Sequence, residues 1–244
     1  MRLEDIKSYT RGQMEWALWR QFSHVGHDPV RPAPRVFLNR IKRLLDLDKE
    51  AGTAIFTSGR AGWIPGVYPF PTPGGGRGSV AEYHRFGIFL MWLGLNLLDA
   101  GFKQSDVLFL LGHIKAPLRD EPYEYILTNP PSPGQTMFHT DRPNCPRHPI
   151  RQNHADCSVF LLIRKVELRE CWNWNTGEPF IFGPKFRYGL AELQKELDRL
   201  NYEYPSTMVI ELADAATTIN GILQNPPARV RGRKRQTENT AVVT

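Results

Sequence analysis

Apolar residues recur at helical spacing through most of the first half of this chain, and in the second half they gather into short runs that suit strands. Met14, Ala17, Leu18 and Phe22 mark one face of a helix over about 11–22, widened by Trp16 and Trp19. Thr10 and Gln13 stand at capping-box spacing before it. The proline-rich stretch SHVGHDPVRPAP predicts a loop, and Pro34 suits the first turn of a second helix over about 34–47. Val36, Phe37, Ile41, Leu44 and Leu45 form its predicted apolar face, and Arg35, Asn39, Arg40, Lys42 and Arg43 its polar, mostly cationic one. Residues 51–78 read as irregular: AIFT pairs with GWIPGVYPF across the SGRAG turn, and TPGGGRG forms a tip carrying Arg77. Ser79 and Glu82 form a second capping box, predicting a helix that starts after Ser79, runs to Ala100 and stops at Gly101. A short helix, VLFLLGHI, follows a cap at Ser105.

The apolar run within 86–98 is too short for the roughly 20 residues that a membrane span needs, so it predicts a central buried helix. Past Pro117 the pattern changes. EYILT at 124–128, SVFLLIRKVEL at 158–168, PFIFG at 179–183 and TMVIEL at 207–212 read as strands. Phe186–Leu200 reads as an amphipathic helix with Leu190, Leu193, Leu197 and Leu200 on one side, and ADAATTINGIL as a closing helix. The expected fold class is α+β. A mainly helical region, 1–116, precedes a small α+β region, 117–225, suited to dimerisation or ligand sensing. A flexible basic tail, 226–244, ends the chain.

Composition supports a folded chain: 41% of residues are hydrophobic and 23% charged. The net charge of +6 is unevenly placed. The last nineteen residues hold five of the 31 basic side chains and one acid, which leaves the body nearly neutral. Three cysteines make no disulfide framework, and Met1–Thr10 is too polar for a secretory signal, so a reducing cytoplasmic, intracellular setting is expected.

The chemistry-bearing residues point in more than one direction. Cys145 and His148, then His154 and Cys157, form two spaced pairs in the long 129–157 loop and have the donor set of a tetrahedral zinc site, with His139 nearby. A metal-dependent hydrolase or other small-molecule enzyme built around 139–157 is one alternative. A structural or protein-interaction module that uses the apolar segment 86–111 is another. There is no GxSxG motif, and TPGGGRG lacks the GK[ST] ending of a phosphate loop. Trp172, Trp174 and Phe180 read as an aromatic anchor, with base stacking as the sharper alternative. Asp214 reads as a helix cap. The sequence assigns no catalytic residue, metal ligand or cofactor.

Residues 78–114, GSVAEYHRFGIFLMWLGLNLLDAGFKQSDVLFLLGHI, resemble the MerR-like family of winged-helix transcriptional regulators. Gly101 and Phe102 match the family's turn between helices, and Val107, Leu110 and Leu111 match the helix after it. The connection at 24–33 is longer and richer in proline than the family's first turn. The resemblance implies a dimer that bends promoter DNA. Apart from it, cationic side chains can neutralise phosphates, while Arg reads guanine and Asn reads adenine. The candidates for DNA contact are Arg11, Gln13, Arg20, Arg35, Asn39, Arg40, Arg43, Arg60 and Arg77. The tail segment RVRGRKR adds Arg231, Arg233, Lys234 and Arg235, and loosely resembles an AT-hook core with Lys234 in place of proline. The leading expectation is therefore a DNA-associated regulatory protein, active in transcription, with self-association as a second expected interaction.

Overall fold

A computed structural model of the chain describes residues 7–23, 32–58, 81–128, 158–164, 172–173, 178–179, 184–198 and 207–228, with side chains left aside at 51–58 and in the 172–173 and 178–179 pair. Helix α1 spans Arg11–Phe22 and starts as its sequence predicts. The Thr10 hydroxyl accepts from the Gln13 backbone N–H at 3.3 Å, and the Thr10 N–H donates to the Gln13 side-chain oxygen at 3.0 Å. Helix α2 spans Arg35–Ser58 and is longer than expected. The AIFT segment, expected as a strand, lies in its last two turns. A helix that has already nucleated gains one hydrogen bond for each residue it adds, so the β-preference of Ile55, Phe56 and Thr57 does not end it. The expected partner strand GWIPGVYPF and the TPGGGRG tip lie outside the described residues.

Helix α3 spans Arg85–Asp99, starting later than the Ser79–Glu82 pattern predicts. Tyr83 is instead held extended, exchanging two backbone hydrogen bonds of 2.9 Å with Tyr9. Its ring is buried, so the bridge brings the start of the chain against the entry to α3. From Phe86 to Leu95 every residue of α3 is buried, which makes it the central helix that its apolar run predicts. Gly101, at φ 87°, ends it in the left-handed region open to glycine.

Gly94 lets three helices meet. A β-carbon there would stand 3.1 Å from a methyl of Leu111 and 3.4 Å from methyls of Leu44 and Val107. Gly94→Ala is expected to be close to neutral, because about 1 kcal/mol of helix propensity offsets that tight contact. Gly94→Leu should destabilise by about 1–3 kcal/mol through overpacking. Urea unfolding of the two variants checks the pair. Equal stability for both would mean that the contact is loose.

Helix α4 spans Gln104–Leu118 and carries Pro117 in its last turn. A π-helical turn, Arg119–Tyr123, and helix α5, Glu124–Thr128, follow without a break. The sequence reading of Pro117 as a stop and of EYILT as a strand is thus corrected. The wider π turn accommodates Pro122, which withholds an N–H donor, and Pro117 stands in the last turn of α4 just before it. Helical spacing then brings Tyr123 and Ile126 into the core, with the Tyr123 ring 5.0 Å from Phe86 and 5.4 Å from Phe89. That packing overrides the local strand preference.

Three strands form one antiparallel sheet in the order β4-β1-β5: β1 is Val159–Arg164, β4 is Lys185–Tyr188 and β5 is Thr207–Glu211. Trp172–Asn173 (β2) and Glu178–Pro179 (β3) form a separate two-residue pair. Phe186–Tyr188, expected to open a helix, lie in β4, and the positive φ of Gly189 (76°) turns the chain into helix α6, Gly189–Asp198. Alternation along β1 divides its side chains between two faces. Phe160 and Leu162 pack with Leu193, Leu190 and Val209, whereas Val159, Leu161 and Ile163 join the helical core. On α6 the buried positions are Gly189, Leu193 and Glu196, while Leu197, expected inward, is exposed.

Helix α7, Ala213–Ile222, packs against α1, α3 and α5. The central cluster accordingly takes side chains from both sides of residue 117. The two ends of the described chain are tied together. The Tyr9 hydroxyl donates to the Leu223 carbonyl at 3.1 Å, and the Gln13 amide donates to the Pro227 carbonyl at 2.8 Å. Pro226–Ala228, expected to begin the tail, include this anchor, and the rest of the tail lies outside the described residues.

Candidate nucleic-acid interface

Helix α2 is fixed by Phe37, Ile41 and Leu44, which enter the core with Asp48 on the same side. Burial lowers the pKa of Lys115 on α4, and the Asp48 charge partly restores it, so an electrostatic contact ties α2 to α4 on the inner side. At 3.6 residues per turn, the exposed positions Arg35, Val36, Asn39, Lys42, Arg43, Asp46, Lys49 and Glu50 share an outer arc of roughly 140°.

Charge is graded along this arc. Its first two exposed turns hold Arg35, Lys42 and Arg43 and no acid, while Asp46, Lys49 and Glu50 stand beyond them. Lys42 pairs with Asp46 at 2.6 Å across one turn, an exposed pair worth little in water. Arg35, Asn39 and Arg43 have no hydrogen-bond or ion-pair partner among the described residues.

The other candidates are placed differently. Arg40 donates to Asp99 at 2.6 Å and to the Leu95 carbonyl at 3.3 Å, which ties α2 to the end of α3. Arg11 pairs with Glu15 at 2.7 Å. The Arg20 guanidinium lies 5.3 Å from the ring centre of Trp16. Gln13 is buried, with its side-chain oxygen used in the α1 cap and its nitrogen on Pro227. It is a structural residue, and its expected role as a DNA contact is corrected on that ground. Arg60, Arg77, Arg231, Arg233, Lys234 and Arg235 lie outside the described residues. So do Cys145, His148, His154 and Cys157. Among the described residues no group of three or more His, Cys, Asp or Glu is placed to hold a metal.

One feature of the face was misread in the sequence. Val36, assigned to the apolar face, is 73% exposed. A helical wheel anchored on Ile41 and Leu44 separates Val36 from the core arc. The apolar character of Val36 alone hides this.

Two buried carboxylates lie away from α2. Burial raises Glu196 on α6, but hydrogen bonds and charge from Lys185 and Arg187 outweigh this and bring it down to about 2. Burial pushes Glu211 up to about 7, although its carboxylate accepts the Ala213 and Asp214 backbone N–H groups at 2.8 and 2.9 Å. Glu211 therefore caps α7, the role expected of Asp214. No helix among the described residues is long and apolar enough to cross a membrane. No protein-family model, curated protein or solved structure matches this chain.

Proposed function

We propose that this protein associates with duplex DNA in a regulatory role, through the outer face of α2. The observation that supports this is the set of Arg35, Asn39 and Arg43, exposed together on one rigid helix and without partners among the described residues. Free guanidinium groups on a preformed surface neutralise phosphates with little ordering cost, and counterion release makes the binding depend steeply on salt. Arg40 holds the helix in place instead of contacting the duplex. The basic tail segment adds an electrostatic arm.

Binding to a duplex of random sequence, titrated at several salt concentrations, is the test. Arg35→Ala with Arg43→Ala should weaken binding roughly tenfold at moderate salt and lower the salt slope by about two. Unchanged affinity and slope would remove α2 from the interface. A chain ending at Asn225 also loses the Pro227 anchor, so truncation after Ala228 is the cleaner measure of the arm.

A further inference from the structure

We infer that the first two exposed turns of α2 enter the DNA major groove and read sequence there, with Asn39 on an adenine and Val36 against a neighbouring thymine methyl. This inference rests on the DNA-binding reading above and goes beyond charge neutralisation. Charge gives the helix its direction. Arg35, Lys42 and Arg43 favour a phosphate-lined groove at the N-terminal end, and at the other end Asp46 and Glu50 outnumber Lys49 and oppose deeper entry. The helix dipole acts in the same sense, since its N-terminal end is the positive one.

Within the arc, Asn39 lies near the centre, with Arg35 and Lys42 on one flank and Val36 and Arg43 on the other. A central side chain faces the groove floor while flanking cations reach the two backbones. An Asn amide matches the donor and acceptor edge of adenine in the major groove, and an apolar side chain suits the thymine methyl. At 73% Val36 is the more exposed of the two large hydrophobic side chains found at the described surface, so it is open to meet such a methyl group. The A-form major groove of duplex RNA is too narrow to admit such a face, so the partner is DNA.

Selection from a pool of random duplexes, followed by sequencing, tests the inference with the full chain. The intact protein should enrich sites holding a fixed A·T pair. Asn39→Ala should lower that preference roughly tenfold, read as the ratio of affinity for the enriched site to affinity for random duplex. Val36→Ala should relax the adjacent thymine. Both residues are exposed, so the thermal midpoints of the variants should match the parent. Tight binding without any enriched base would overturn the base-reading inference and leave the DNA association standing. Absence of binding to any duplex at low salt would overturn both, as would stronger binding to an RNA hairpin.

Discussion

Replacing Lys185 and Arg187 together by methionine should lower the stability of this protein by about 3–5 kcal/mol. Replacing their shared partner, Glu196, by leucine should cost much less, about 1 kcal/mol or so. The asymmetry follows from where the three groups sit. Glu196 is 3% exposed, whereas the Lys185 and Arg187 side chains are 42% and 26% exposed. The Arg187 guanidinium donates to Glu196 at 2.5 Å and 3.2 Å, and the Lys185 ammonium donates to its other oxygen. With both cations removed, a carboxylate is left buried between α6 and β4 with nothing to balance its charge. With Glu196 removed, both cations can turn to water. Urea unfolding at neutral pH of the double variant and of Glu196→Leu gives the comparison. Equal losses would mean that Glu196 is better hydrated than its burial indicates.

Glu211 should make the protein less stable as pH rises from about 4.5 to 7, by a few kcal/mol in total and at most about 3. The sign follows from its proton affinity. Burial holds the folded-state pKa near 7, above the ordinary carboxylate value of 4.5. Below 4.5 the group is neutral in both states and contributes its full stability. Between 4.5 and 7 the unfolded chain has released the proton that the folded chain keeps, so stability is lost as pH rises through 7. Glu211→Gln should abolish this slope and be the more stable protein at pH 8. Glu196 has the opposite sign in a separate window, because its pKa of about 2 favours the folded state above 4.5 and loses that advantage toward pH 2. Denaturant midpoints at half-unit steps from pH 4 to 8 read the Glu211 contribution as the difference between parent and variant. A difference that does not change with pH would show that Glu211 has the same pKa in the folded and unfolded chains.

Much of the fold could be read from local pattern. The α1 cap at Thr10 and Gln13, the buried α3 run, the stop at Gly101 and strands β1 and β5 are visible in short stretches of sequence. Each depends on neighbours within a few residues, through capping, periodicity or a positive φ. The failures came where a distant contact outweighed a local preference. EYILT is helical because Tyr123 and Ile126 meet the α3 core. The start of α3 is delayed because Tyr83 pairs with Tyr9. Glu196 is buried on α6 because β4 places Lys185 and Arg187 beside it.

The candidate interface shows the same division. The sequence supplied Arg35, Asn39 and Arg43 at helical spacing, since a periodic pattern determines which residues share a face of one helix. It also supplied the mainly helical first half and the strand-bearing second. Only the tertiary structure decided that Arg40 pairs with Asp99 and that Gln13 is buried against Pro227. Those outcomes depend on which helices pack together and on where the two ends of the described residues meet. Such contacts join residues far apart in sequence, and no local pattern records them.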